Sequence, residues 1–469
     1  MAAIRFGTDG WRDVISDGFT FANVRRVAQA ISTYLLAQGY EGEGVVVGYD
    51  TRFLSPRYGQ MVAEVLAGNG FRVWLTQEAA PTPAVSWAVR EKGAVGGVMV
   101  TASHNPPEYN GLKFKGPYGG SALPELTAAV ERYLAEESAV RILPLERALA
   151  EGRIERFDPK PGYFAQLRRL VDFSAFARQR WCLVADTMHG AARGYWKDLL
   201  AGTGIEVVEI RSELNPGFGG VNPEPIEKNL EALFSAVRDR HATVGLATDG
   251  DADRVGAVDE QGNFVDSHRI FALLLRHLVA GRGWDGAVVK TFSTTRMIDL
   301  LAARLGKKLY VTPIGFKHIC RLMLEDDVLI GGEESGGIGI KHHLPERDGI
   351  LSGLLLLEIM ALSGKKLSEL VAELLVEVGP HYYRRLDLEL SQAQALVRRL
   401  AERPPADLGG RRVENQDGLD GQKFFLEDGS WILFRASGTE PVVRIYAEAA
   451  SPQAAEALLA AGAEYLARL

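Results

Sequence analysis

A serine stands where an apolar run meets a proline-stiffened turn, in Thr101-Ala102-Ser103-His104-Asn105-Pro106-Pro107. A hydroxyl that leaves a buried strand into such a turn is exposed and held in place, as a nucleophile must be. An ordinary Asn-Pro turn is the competing reading. Ser103 and His104 are adjacent and cannot readily share the hydrogen bond of a hydrolytic triad, and the chain has no G-x-S-x-G elbow. Such a serine could instead carry a phosphoryl group, whose oxygens call for a metal and cationic donors.

Asp249-Gly250-Asp251-Ala252-Asp253-Arg254 sets three carboxylates at alternate positions, so that one tight loop can turn all of them onto a hard cation. The pattern mimics a calcium-binding EF-hand, with Glu260 at the twelfth position, but Arg254 stands at the sixth, where the sharp turn needs glycine. The flanks, Val244 to Ala247 and Val255 to Asp259, read as strands rather than helices. Mg²⁺ fits better, because a phosphate oxygen can complete a sparse carboxylate set. A solvated acidic loop is the alternative. Arg254 would face the same anion.

Two more loops carry polar groups on a glycine-flanked backbone. Gly331-Gly332-Glu333-Glu334-Ser335-Gly336-Gly337 suits sugar hydroxyls, or is simply an acidic turn. Arg435-Ala436-Ser437-Gly438-Thr439-Glu440-Pro441 joins a guanidinium, two hydroxyls and free N–H groups into a nest for a phosphate dianion, against the alternative of a structural turn. Near the start, Phe6-Gly7-Thr8-Asp9-Gly10-Trp11-Arg12 places an arginine in a glycine-rich loop. Tyr109-Asn110-Gly111-Leu112-Lys113 follows the serine loop closely enough for Lys113 to return to Ser103. A lysine beside a metal and Arg12 is expected to have a lowered pKa and could act as a base. Both could also be surface charges.

The elements that must position these loops repeat. Val45 to Asp50, Arg72 to Leu75 and Gly97 to Thr101 are short apolar runs of the kind buried on both sides in an α/β sheet. Cys182 to Asp186, Glu206 to Ile210 and Val244 to Asp249 form a second set, and Ala287 to Lys290, Lys308 to Thr312 and Val328 to Gly332 a third. Helical patterns lie between them: Val24, Val27, Ala28, Ile31 and Leu35 share one face, and Ser55 is an expected N-cap with Pro56 in the first turn and Gly68 past the end. Alternation of this kind implies mostly parallel sheets with ligand loops beyond the strands' C-terminal ends. The last stretch differs. Lys423 to Leu426, the turn Glu427-Asp428-Gly429-Ser430 and Trp431 to Phe434 make a hairpin pattern, followed by a strand from Val442 to Ala447 and a helix from Pro452 to Leu469. The expected architecture is three similar α/β domains, 1–157, 158–262 and 263–378, then a smaller α+β domain, 379–469.

A length of 469 residues is too great for one core, and 46% hydrophobic with 24% charged residues is ordinary globular composition. The formal charge of −7 argues against a nucleic-acid partner. Cys182 and Cys320 lie far apart without metal-ligand spacing and read as reduced thiols. The start, MAAIRFGTDGWR, has charges and glycines where a signal peptide needs an apolar core. The most apolar stretch, Ile350 to Ser363, is interrupted by Glu358 and reads as a buried helix, so no membrane partner is expected and the location expected is cytoplasmic.

In their order and spacing the four loops resemble the signature regions of the α-D-phosphohexomutase family, over essentially the whole chain. The resemblance implies that Ser103 is the phosphoserine and that Asp249, Asp251 and Asp253 bind Mg²⁺ together with a phosphoserine oxygen. Glu333 and Ser335 would hold sugar hydroxyls, while Arg435, Ser437, Gly438 and Thr439 would grip the phosphate that is not transferred. Ser103, His104, Lys113, Arg12 and Arg254 form the implied catalytic set, and Lys290, Thr312, Gly315 and Lys317 complete the substrate-binding one. Two transfers through a hexose 1,6-bisphosphate, with glucose 1,6-bisphosphate as activator, would interconvert hexose 1- and 6-phosphates in a monomer or homodimer.

Thr312 to Lys317 and Glu333-Glu334-Ser335 look most like phosphoglucomutases. Phosphomannomutases and phosphoglucosamine mutases usually have histidine where this chain has Gly337; His342 or His343 could stand in for it. Mutases acting on mannose or glucosamine phosphate, a phosphatase and a sugar-phosphate binding protein are the alternatives. An intact Ser103 with three aspartates speaks against the last.

Overall fold

A computed structural model describes residues 4–7, 10–136, 138–390, 392–437 and 442–469. Gly438 and Thr439 of the fourth loop lie outside the described residues.

The first sheet runs Trp11–Val14, Tyr109–Lys115, Gly96–Val100, Gly44–Tyr49, Arg72–Thr76, Ile154–Phe157. Its last four strands are parallel, and the first two are added antiparallel at one edge. The strand Gly44–Tyr49 is buried throughout, as an apolar run between two helical layers must be. The helices Phe21–Ala37, Ser55–Gly68 and Pro124–Ala135 pack on one face, and Thr82–Glu91 on the other.

Three expectations fail here. Arg12 lies on the edge strand, opposite Gly111, rather than in the preceding loop. Ser55 is the first residue of its helix and caps nothing: Leu54, at φ +63°, precedes it, and the Ser55 hydroxyl donates to Asp50. Gly68 is the last helical residue rather than the one beyond the end.

The second sheet runs Phe264–Val265, Val255–Val258, Val244–Thr248, Trp181–Asp186, Ile205–Ile210, and the third Leu309–Thr312, Ala287–Thr291, Val328–Gly332, Ile338–Ile340. Each is mixed: three parallel strands with antiparallel additions at one edge. One hydrophobic core serves both sheets, with Leu183 and Leu246 from one, Val288 and Ile330 from the other, and Leu354 and Leu355 from the helix Gly349–Ser363. The C-terminal sheet is antiparallel, Tyr382–Glu389, Val442–Ala449, Trp431–Ala436, Gln422–Leu426, Arg411–Asp417, Asp407–Leu408. The helices Ala393–Glu402 and Pro452–Ala467 cover one face. The other presents Trp431, Leu433 and Tyr446 to Phe292 and Ile314 of the third domain. Among the described residues no helix is long and apolar enough to cross a membrane.

Candidate active site

The serine loop begins where the strand Gly96–Val100 ends, and the acidic loop is the hairpin turn between Val244–Thr248 and Val255–Val258. The two meet: the Ser103 hydroxyl donates to Asp249 Oδ2 over 2.8 Å. Ser103 adopts φ +53°, left-handed backbone that a residue other than glycine holds only when its surroundings over-determine it. Gly250 is required by close approach, since a Cβ there would fall 2.4 Å from the Ser103 carbonyl oxygen.

Asp249, Asp251 and Asp253 are fully buried, and each offers one carboxylate oxygen to a set lying within 4.8 Å of one another. Lys113 Nζ bridges Asp251 Oδ2 at 2.8 Å and Asp253 Oδ2 at 2.9 Å. Thr82, at the start of its helix, donates to Asp251 Oδ2 over 2.5 Å. Asp251 Oδ1 and Asp253 Oδ1 are buried with no hydrogen-bond partner. Orphaned carboxylate oxygens converging in a dry loop fit a hard divalent cation. The charges also show the strain of apposition. Burial, then Asp253 and Asp251, push the Asp249 carboxyl well above its ordinary pKa. Against the same burial, Lys113 and Thr82 hold Asp251 below the usual carboxylate range. Lys113 is thus a counter-ion to the trio in this arrangement, within the same buried cluster as Asp251 and Asp253.

Arginines close the anion side. Arg254 Nε lies 3.9 Å from Asp249 Oδ2 and 3.7 Å from Asp253 Oδ1. Arg12 donates to Asn105 Oδ1 over 2.7 Å and so borders the serine loop from its strand. His104 Nδ1 is 3.5 Å from the Ser103 hydroxyl; burial, then Arg254, Arg12, Arg52 and Lys113, press its pKa well below the ordinary value.

The third loop is the turn between Val328–Gly332 and Ile338–Ile340, and it touches the acidic loop through an Arg254–Gly337 bridge. Sequence reasoning missed the residue that joins them. Arg347 is buried, with Nη2 2.8 Å from Asp253 Oδ2 and Nη1 3.5 Å from Glu333 Oε2. Arg52, also missed, is buried behind the serine loop. Neither had a signal beyond a lone arginine in a polar turn. Ser335 is half-buried in the same turn as Glu333.

The remaining residues lie further along the third and fourth domains. Lys317 lines a small recess with Phe6, Gly7 and Gly10 of the first domain. Thr312 ends its strand, and Gly315, at φ +124°, starts the helix Phe316–Glu325. Asp420 accepts from Ile314 N at 2.8 Å and from Arg435 Nε at 3.0 Å, linking that segment to the last domain. Ser437 N donates to Val442 O over 2.8 Å. Lys290 is turned onto Asp299 and the carbonyls of Thr294 and Thr295 and is not brought to the other loops. Nor do the nearby histidines enter: His343 is buried against Asp348, 2.9 Å away, and Trp87, while His342 is exposed.

Models of the phosphoglucomutase/phosphomannomutase family match in series: α/β/α domain I over residues 3–141, domain II over 161–262, domain III over 266–378 and the C-terminal domain over 392–464. The chain belongs to this family of α-D-phosphohexomutases, and it is an isomerase that transfers a phosphoryl group within hexose phosphates. It is 36% identical to a phosphoglucomutase/phosphomannomutase of Thermococcus kodakarensis, the match covering 98% of each chain. A phosphoglucosamine mutase of Carboxydothermus hydrogenoformans is 31% identical, with 96% of each covered. Among solved structures, a protein of Thermus thermophilus provisionally described as a phosphomannomutase matches at a TM-score of 0.88 with 41% identity, covering 99% of both chains.

Proposed function

We propose that this phosphohexomutase is magnesium-dependent, works through phospho-Ser103, and favours glucose phosphates. The observation that carries the reading is the 2.8 Å contact of the Ser103 hydroxyl with Asp249, inside a buried trio that has two orphaned oxygens. In the first transfer the bond from phosphorus to Ser103 Oγ breaks and one forms to the free hydroxyl oxygen of a hexose monophosphate, whose proton ends on the freed Ser103 Oγ. The product is a hexose 1,6-bisphosphate, glucose 1,6-bisphosphate for the favoured sugar. After the sugar turns over, the other phosphate returns to Ser103 and the isomer leaves.

Asp249, Asp251 and Asp253 would hold the cation, which neutralises charge on the phosphoryl oxygens when bound. Arg12, Arg254 and Lys113 bring positive charge to the same side of the serine, where it is strongest in a buried site. Glu333 and Ser335 suit sugar hydroxyls, and Arg435 with Ser437 suits the phosphate that stays. Ser103 is buried, not exposed as its turn suggested, and that burial keeps water from the phosphoenzyme. A broader specificity is the second reading, favoured by relatives named for glucose, mannose and glucosamine phosphates.

Turnover of glucose, mannose and glucosamine 1-phosphates, assayed side by side with and without Mg²⁺, tests both. Ser103→Ala is expected to abolish isomer formation with the fold intact. Free phosphate released without any isomer would overturn the mutase reading.

A further inference from the structure

Behind Ser103 the carbonyls of one loop converge on a single guanidinium. Arg52 Nη2 donates to Ser103 O at 2.7 Å and Asn105 O at 2.6 Å, and Nη1 to Pro106 O at 2.8 Å and Tyr109 O at 3.0 Å. Four carbonyl dipoles pointed at one spot repel unless a planar, multi-donor cation sits there, and prolines at 106 and 107 leave the loop short of N–H groups of its own. Asp50 fixes the other edge. It accepts from Arg52 N and from the Ser55 and Thr101 hydroxyls, and Thr101 Oγ1 in turn accepts the Ser103 N–H at 2.8 Å. Both ends of the left-handed Ser103 are therefore tied to the Asp50–Arg52 unit.

The last wall comes from the domain that carries the aspartates. The ring of Phe218 lies 4.9 Å from the Arg52 guanidinium carbon, and Thr51 Oγ1 donates to His189 O over 2.7 Å. Phe218 is 1% exposed and sits at φ +49° before Gly219 and Gly220, also left-handed, so this loop is bent to deliver the ring.

We propose that Arg52 is the positioning residue of the serine nucleophile and that Phe218 locks it, so that the second domain arms the serine from behind while Asp249 meets it in front. The inference rests on the phosphoserine reading. Arg52→Lys keeps charge but loses the fork; Phe218→Leu keeps bulk but loses the π face. Both variants are to be assayed with wild type for isomer formed and phosphate released, with amide hydrogen exchange read across 101–111.

Expected for Arg52→Lys is a kcat loss on the order of a hundredfold with KM within about threefold, as for a nucleophile displaced by about an ångström. Phosphate released per isomer rises, and exchange rises in the serine loop but not in Val244–Thr248. Phe218→Leu shows the same signature at smaller size. Wild-type kcat and phosphate fraction in both variants would overturn the proposal, as would faster exchange spread through the whole first domain without a change in that fraction. If wild type itself makes phosphate and no isomer, the mutase reading falls, and exchange in the serine loop alone still decides the clamp.

Discussion

A methyl group placed on Gly337 would fall 2.2 Å from Cδ of Arg347. The side chain of Arg347 thus fills the space that a larger residue at 337 would take, on its way to Asp253 and Glu333. Gly337→Ala is therefore expected to push Arg347 off both carboxylates and uncouple the acidic loop from the sugar loop. Steady-state kinetics should show kcat/KM lower by roughly tenfold to a hundredfold, the scale of a displaced ion pair in a closed site. Unchanged kinetics would mean that Arg347 moves without consequence.

The acidic trio makes a prediction about stability. Asp249 has its folded pKa raised, chiefly by burial and then by Asp253 and Asp251, so without metal its ionised form destabilises the fold as pH rises above its unfolded value. Asp249→Asn should raise the melting temperature of the metal-free protein at pH 7 by a few degrees. It should also remove the upward shift that added Mg²⁺ causes in wild type. Thermal melts with EDTA and with Mg²⁺ check both signs.

Lys423 sits at the seam between the third and last domains, donating to Phe292 O over 2.8 Å with its ammonium 3.6 Å from the centre of the Trp431 ring. Burial first, and Lys290 second, pull its pKa from 10.5 to about 7, while Asp299, Glu448 and Asp417 oppose the shift. Between pH 7 and 10.5 the unfolded chain keeps this proton and the folded chain does not, so stability rises with pH across that window. Denaturation midpoints of wild type should climb from pH 7 to 10, and those of Lys423→Met should climb less. Parallel slopes would place the titration elsewhere.

Glu358 is the one carboxylate in the helix Gly349–Ser363 and is 1% exposed. It accepts from Asp172 N at 2.6 Å and Arg282 Nε at 2.8 Å, with His277 Nε2 2.7 Å away. Glu358→Ala strands those donors and should cost about 3–5 kcal/mol in urea unfolding. Burial works against its charge, but His277 and Arg282 hold its pKa below 4.5, so the contribution is present above the unfolded value and lost as pH falls through the folded one. A loss near 1 kcal/mol would show that the network relaxes around the cavity.

Much of the architecture was legible because buried parallel strands are apolar runs and their loops start with glycine, serine or aspartate. The flanks of the acidic loop had strand character in the sequence; that the two strands pair antiparallel, making the loop a hairpin turn, came from the structure. What escaped notice was tertiary. Arg52 and Arg347 follow or precede acidic residues in short polar turns, Asp50-Thr51-Arg52 and Glu346-Arg347-Asp348, where local spacing cannot tell a solvated charge from a buried clamp. Ser55 looked like a cap because its type suits one; Asp50 claims its hydroxyl instead. Arg12 looked loop-borne because glycines precede it, yet Gly111 across the sheet gives its edge strand a place to pair.

The core shared by the second and third sheets has a consequence for how the chain comes apart. Leu354 and Leu355 touch a surface built by both halves, so a chain severed near residue 263 would leave each fragment with an open greasy face and an incentive to aggregate. Heating should reveal the middle of the molecule as a single calorimetric unit, although it is divided into two domains by descent.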